Sequence, residues 1–356
     1  MSNKVNNMNE NNEKQDQSLL GNILEKKGLI FIIGGILIRI FMLVFYYYIH
    51  AIDPGRGWGD VYINFKGSFY YPPLTMVLLD FIKILSFGMV EVFAFWAFLF
   101  DIMTMLMFYF VLKNFKIPKK EYVFGLFMIN PFLFLNNSFS LENCGYHITD
   151  AIFFFFLFMA LILYNRENSW SKYLFYLFLA LSAVGKLYTL PIVGFFFLKY
   201  IIEKNWEEMK IFLITTIPIL LIFLVLPIFY WDNYLQLYSF WNQRGESILP
   251  LYIRLIPVAI IIGSYILFRL KKADLLEILF ASIFIIAVFM FFSNPYIRYF
   301  QALLFFGILK PKELFSFKLN LGFIKRDIRF DNNLLVFYTS FILVGLAYLI
   351  IILKII

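Results

Sequence analysis

Cysteine is nearly absent from this chain, and that absence excludes a good deal. Cys144 stands alone, so no intramolecular disulfide can form and no second thiolate exists to share a metal. Histidine is almost as rare, with two residues. Charge is sparse as well, at 15% of residues. The early apolar run of a signal peptide is missing, and so is any internal repeat of fixed period. What fills the chain instead is apolar: 62% of residues are hydrophobic and 22% aromatic, with 48 Phe. A soluble core of 356 residues could not bury that much apolar surface, whereas acyl chains would accept it. The composition therefore predicts an all-α polytopic membrane protein. In a soluble domain a net charge of +8 would suggest nucleic acid. Beside membrane spans, cationic residues hold inner loops against anionic lipid, so no nucleic-acid partner is expected.

Residues 1–25 are rich in Asn, Gln, Lys and Glu and read as a disordered cytoplasmic tail. Residues 26–356 read as a single transmembrane domain. Lys26 and Lys27 precede the first apolar run, near 28–50, which sets the N-terminus inside and the loop from Ala51 to Tyr71 outside. The next apolar run, Pro72 to Phe87, is short and carries Thr75, Asp80, Lys83 and Ser86 on one helical face. If it spanned, the basic loop KNFKIPKK (113–120) and every later basic loop would fall outside. A helix lying in the interface, or re-entering, keeps them inside. Pro72 and Pro73 suit the first turn of such a helix. The remaining spans are expected near 91–112, 122–137, 150–164, 173–186, 190–202, 210–230, 251–268, 276–293, 299–309 and 334–353, giving about eleven in all. This topology puts most of the 31 Lys and Arg residues inside.

The polar residues left at the outer face carry the functional reading. Asp53 and Asp60 lie in the first outer loop; Glu142, His147 and Asp150 lie in or at the end of the second. Lys186 lies in GKLYTLP, Arg244 in SFWNQRGES, and Tyr296 and Arg298 in SNPYIRY. A carboxylate above three separated cations suits an enzyme that deprotonates a hydroxyl while a lipid-linked phosphate departs. Asp60 is the candidate general base. Arg244 and Arg298 suit bidentate phosphate contact, and Lys186 a point charge. Tyr71, His147, Asp150 and Tyr296 are candidate contacts to acceptor or sugar.

Each residue has a plainer alternative. Asp60 could cap a helix or form a turn, and Asp53 before Pro54 and Gly55 reads as a turn residue. Lys186 could snorkel to the interface, and Arg244 and Arg298 could be headgroup anchors. His147 could be a satisfied polar residue and not a metal ligand. Asp101, inside the span FLFDIMTML, should face the bundle and either hold it together or orient the first loop.

These motifs, in this order, resemble the GT-C superfamily of integral-membrane glycosyltransferases that take sugars from polyprenyl phosphate. Within it, they are similar to the first mannosyltransferase of GPI-anchor synthesis and related prokaryotic enzymes. The loop with Asp60 resembles the family's acidic first loop, and YYPPLTMVLL its juxtamembrane helix. WAFLFDIMT, NPFLFLNNS, GKLYTLP, SFWNQRGES and SNPYIRYF resemble later family motifs. The resemblance implies a catalytic base at Asp60 and donor-phosphate contacts at Lys186 and Arg244. It also implies an interfacial helix in the first loop. Asp60 lacks the adjacent second carboxylate common in the family, which puts a bound divalent metal in doubt, and GYHITD departs from the usual small polar cluster. The function so implied is transfer of a hexose, mannose first, from polyprenyl phosphate to a glycan or glycolipid hydroxyl. The site would face outward from a membrane, with a prokaryotic plasma membrane expected. A secondary transporter or flippase for a lipid-linked or anionic solute is the alternative from another class; a lipid-linked glycan polymerase or ligase is a third.

Overall fold

The computed structural model describes residues 26–45, 72–130, 148–164, 168–186, 189–225 and 251–293, the strands 313–320 and 325–331, and a few single positions. The described chain is helical apart from one hairpin. The helices are α1 (Lys26–Phe45), α2 (Pro73–Leu85), α3 (Val90–Asn114), α4 (Lys120–Ile129) and α5 (Ile148–Tyr164). They continue with α6 (Ser169–Gly185), α7 (Leu190–Glu203), α8 (Trp206–Val225), α9 (Leu251–Phe268) and α10 (Leu275–Ser293). Strands β1 (Glu313–Asn320) and β2 (Lys325–Asp331) pair antiparallel within the basic loop that the sequence assigns to the inner face. Among the described residues, two helices, α1 and α3, are long and apolar enough to cross a membrane. The expected spans 299–309 and 334–353 lie outside the described helices.

Cross-contacts give the helices alternating directions. The Asn114 amide at the end of α3 donates to Leu161 O near the end of α5, and Thr104 Oγ1 donates to Ala151 O, so α3 and α5 run parallel. Ser182 Oγ of α6 donates to Phe153 O of α5, and the Tyr164 and Phe175 rings meet at 5.5 Å, so those two are antiparallel. At the basic end, Lys199 of α7 donates to Ala273 O at the corner between α9 and α10, while Lys172 of α6 pairs with Glu208 of α8. Arg269 and Glu277 close the same corner with two bonds of 3.0 Å. The turns at Lys113–Lys120, Arg166–Lys172, Lys204 and Arg269–Lys272 thus gather at one end. This is the asymmetry from which the sequence topology was drawn.

α2 falls outside that alternation. Pro73 opens it and the backbone closes it: Ser86 N–H returns to Ile82 O, then Phe87 and Gly88 both take left-handed φ, 52° and 72°, before α3 starts at Val90. Gly88 is suited to that conformation, which carries little strain without a Cβ. The polar residues of α2 divide between buried and half-buried positions, Asp80 and Lys83 being half-buried. Thr75 and Ser86 are fully buried against the protein, while Phe81, Ile84 and Phe87 face outward at 55%, 73% and 83% exposure. Phe81 and Ile84 are three residues apart, so they share a helix face suited to lipid and not to water.

α4 is shorter than the span expected near 122–137. It has ten residues and ends at Ile129, after which Asn130 is extended and precedes Pro131 in sequence. It packs very closely on α1. A Cβ on Gly28 would lie 2.6 Å from Glu121 C, one on Gly35 would lie 2.5 Å from Met128 Cβ, and one on Gly125 would lie 2.5 Å from Gly28 O. Gly28 and Gly35 stand seven residues apart, two helical turns, so one stripe of α1 admits the partner backbone. Gly35→Leu should lower the thermal midpoint in detergent, at a cost of at least about 1–3 kcal/mol of overpacking. Gly194→Leu, where a Cβ would meet nothing within 4 Å, should leave the midpoint near wild type. Equal shifts for both would mean that close approach does not set this contact.

Candidate functional site

Two buried charge pairs organise the interior. In the first, Arg39 of α1 is fully buried and donates from Nε to Asp101 Oδ2 of α3 at 2.6 Å. Its Nη1 donates to Met128 O of α4 at 2.6 Å and to Gly35 O, one turn back on its own helix, at 3.2 Å. Met128 O belongs to the last turn of α4, where carbonyls lack intrahelical donors, and a guanidinium there also complements the helix dipole. One side chain therefore joins three helices. Asp101 stands eleven residues into α3, about 16 Å from its first residue at 1.5 Å per residue, which puts the pair near the middle of the helix. Of the two roles considered for Asp101, the geometry supports the structural one.

In the second pair, the Lys186 ammonium meets the Asp150 carboxylate, with both side chains largely buried. Asp150 lies in the first turn of α5, where a carboxylate complements the helix dipole; Lys186 caps the end of α6, where a cation does the same. Several helix ends meet here. Thr75 Oγ1 at the start of α2 donates to Gly185 O, and Leu74 Cδ2 would lie 3.8 Å from a Cβ on Gly185. Ser182 Oγ lies 3.2 Å from the Thr189 hydroxyl, which precedes α7. The starts of α2, α5 and α7 therefore surround the last turn of α6. Three positive helix ends and one lysine make the surroundings favourable to an anion, while Asp150 neutralises the lysine. Because α3 and α5 run parallel with Thr104 beside Ala151, this cluster lies at nearly the depth of the Arg39 and Asp101 pair.

Of the residues singled out from sequence, the structure brings Asp150 and Lys186 together. Asp60, Tyr71, His147, Arg244, Tyr296 and Arg298 lie outside the described residues, as does Asp53. Lys83 sits with its ammonium 5.4 Å from the Phe65 ring centroid, a cation–π contact that keeps it close to the protein. Among the described residues no group of three or more His, Cys, Asp or Glu side chains could hold a metal ion. Sequence reasoning missed Arg39. The signal for it was present: an arginine inside the first span and an aspartate inside the next are each costly in lipid and are natural partners. Ser182 was missed, and the partner of Thr75 with it, for a different reason: both donate to backbone carbonyls, and sequence does not tell which helix will lie beside them.

No family model, curated protein or solved structure matches this chain.

Removing one member of the first pair should be far worse than removing both. Asp101→Leu leaves a buried guanidinium without its carboxylate and should cost about 3–5 kcal/mol. Adding Arg39→Met should recover most of that loss, read by thermal unfolding in detergent. A double variant as unstable as the single one would mean that the charge pairing is not what joins α1 to α3.

Proposed function

We propose that the chain is a membrane-embedded glycosyltransferase of GT-C type, with about eleven spans and a site open to the outer face. It moves a hexose, mannose first, from polyprenyl phosphate to an acceptor hydroxyl. The observation that supports this reading is the buried Lys186 and Asp150 pair, set where three helix N-termini meet beneath α2. A lipid-linked phosphate brings its charge into an apolar setting, and it needs cationic ends and a lysine already held at depth. An ammonium has three donors on a rotatable stem, so Lys186 can turn from carboxylate to phosphate without moving the backbone.

In this mechanism the Asp60 carboxylate accepts the acceptor's hydroxyl proton. The acceptor oxygen then forms a bond to the anomeric carbon as the bond from that carbon to the phosphate oxygen breaks. The electron pair leaves on polyprenyl phosphate, whose charge Lys186, Arg244 and Arg298 offset. A single displacement inverts the anomeric configuration. Tyr71, His147, Asp150 and Tyr296 would contact sugar or acceptor, with Asp150 also holding Lys186 in place between turnovers.

One observation favours the second reading, a transporter or flippase. Two buried charge pairs, one near the middle of α3 and one where α5 begins and α6 ends, are features that substrate pathways use. The two readings separate in one experiment. Membranes carrying the chain are supplied with radiolabelled polyprenyl-phosphate mannose or glucose, and sugar transfer is followed alongside movement of intact donor across the bilayer. Transfer should fall at least about 100-fold in Asp60→Asn, and about 100-fold or more in Lys186→Met, at equal expression. Intact donor crossing the bilayer with no bond broken would establish the second reading instead. Transfer undiminished in Asp60→Asn would remove Asp60 as the base.

A further inference from the structure

The hairpin β1–β2 has no part in the chemistry proposed above. Its register sets Phe315 opposite Phe330, Phe317 opposite Ile328 and Leu319 opposite Arg326; between them, Ser316 faces Arg329, Lys318 faces Asp327 and Asn320 faces Lys325. Residues directly opposite share a face and successive residues alternate. One face therefore carries Phe315, Phe317, Leu319, Ile328 and Phe330, with Arg326 near the turn. The other carries only polar residues from Ser316 to Asn320 and their partners. The hairpin is thus amphipathic across its two faces.

A two-stranded hairpin is marginal by itself in water, so an apolar face of this kind needs a cover. Two features indicate the cover. The sequence expects spans at 299–309 and 334–353, so each strand stands within about four residues of one, roughly 14 Å of extended chain at most. The segment is also basic: Lys310, Lys312, Lys318, Lys325, Arg326 and Arg329 outnumber Glu313, Asp327 and Asp331. We propose that this hairpin lies flat on the membrane, its phenylalanine face at the boundary of headgroups and acyl chains and its cations among acidic phospholipid headgroups. A short tether keeps the strands at the bilayer, the apolar face is removed from water, and the excess positive charge is met by the lipid surface. The occupant of the apolar face is lipid and not another protein.

The test uses the full chain in lipid nanodiscs. In a Cys144→Ser background, spin labels are placed singly through Phe315→Cys, Ser316→Cys, Phe317→Cys, Lys318→Cys, Arg329→Cys and Phe330→Cys. Collision with oxygen, which enters lipid, is compared with collision with a nickel chelate, which stays in water. Labels at 315, 317 and 330 should favour oxygen several-fold over those at 316, 318 and 329, with a period of two along β1. In discs of phosphatidylcholine alone the contrast should shrink relative to discs containing phosphatidylglycerol. Every label open to nickel would place the hairpin in water and overturn the proposal. Labels on the 315 face shielded from both reagents would mean a protein cover and overturn it equally. A contrast as strong in neutral discs would remove the acidic-lipid assignment. Each face is read at three positions, so a single variant that fails to fold leaves two others on the same face to report.

Discussion

The guanidinium of Arg39 is the constraint on which the described helices depend. A fully buried charge is tolerable only when paired and hydrogen-bonded, and here it meets a carboxylate and two main-chain carbonyls on three helices. Those partners fix how far α1 may slide or turn against α3, since a shift of one residue would withdraw Asp101 by 1.5 Å and rotate it by about 100°. The glycine stripe at Gly28 and Gly35 makes the same demand in a different way. It lets α4 approach until its Met128 carbonyl is within reach of Arg39. Close packing and buried charge therefore specify one register between them, and neither would do so as well alone.

Around that frame, the ends of shorter helices are brought to similar depth and closed by short-range polar contacts. Thr75, Ser182 and Thr104 each donate to a main-chain carbonyl of a neighbouring helix, which satisfies their hydroxyls away from water. Lys186 and Asp150 are the ionic members of that set. Helix α2 begins beside them, where Thr75 meets Gly185 O, and carries apolar residues on both its inner and outer sides, Leu79 and Ile82 inward and Phe81 and Ile84 outward.

Much of the helical order was legible because apolar runs and lysine placement report on it directly. Helices Val90–Asn114, Leu251–Phe268 and Leu275–Ser293 lie within a few residues of the spans read from sequence, and the basic turns gather at one end as charge asymmetry required. The boundary at Lys186 was legible too: Gly185 ends one helix and Pro191 stands in the first turn of the next. The early end of α4 was harder to read. Apolar residues continue past Asn130, and what stops the helix is the local preference before Pro131 together with a capping donor from Arg39, 89 residues from Met128 in sequence. The polar face of α2 was legible, but not where its members would turn: Thr75 and Ser86 bond to main-chain carbonyls. Of the candidate site, the sequence supplied Lys186 and Asp150 separately, and their pairing came from the fold. The hairpin was not anticipated, since alternation over seven or eight residues is a faint signal between longer apolar runs.

The brevity of α4 also bears on how the chain comes to be inserted. Ten residues make a helix of about 15 Å, half the hydrocarbon thickness, and its last-turn carbonyl is satisfied by a residue made long before it. Helix α1 for its part carries a cation that acyl chains reject until Asp101 has been synthesised. Neither segment is therefore well suited to leave the translocation machinery by itself. The first span should linger there until α3 arrives and then pass into lipid with it as an electrically neutral unit, into which α4 docks already partnered. Biogenesis of this protein would then proceed by groups of helices and not one helix at a time.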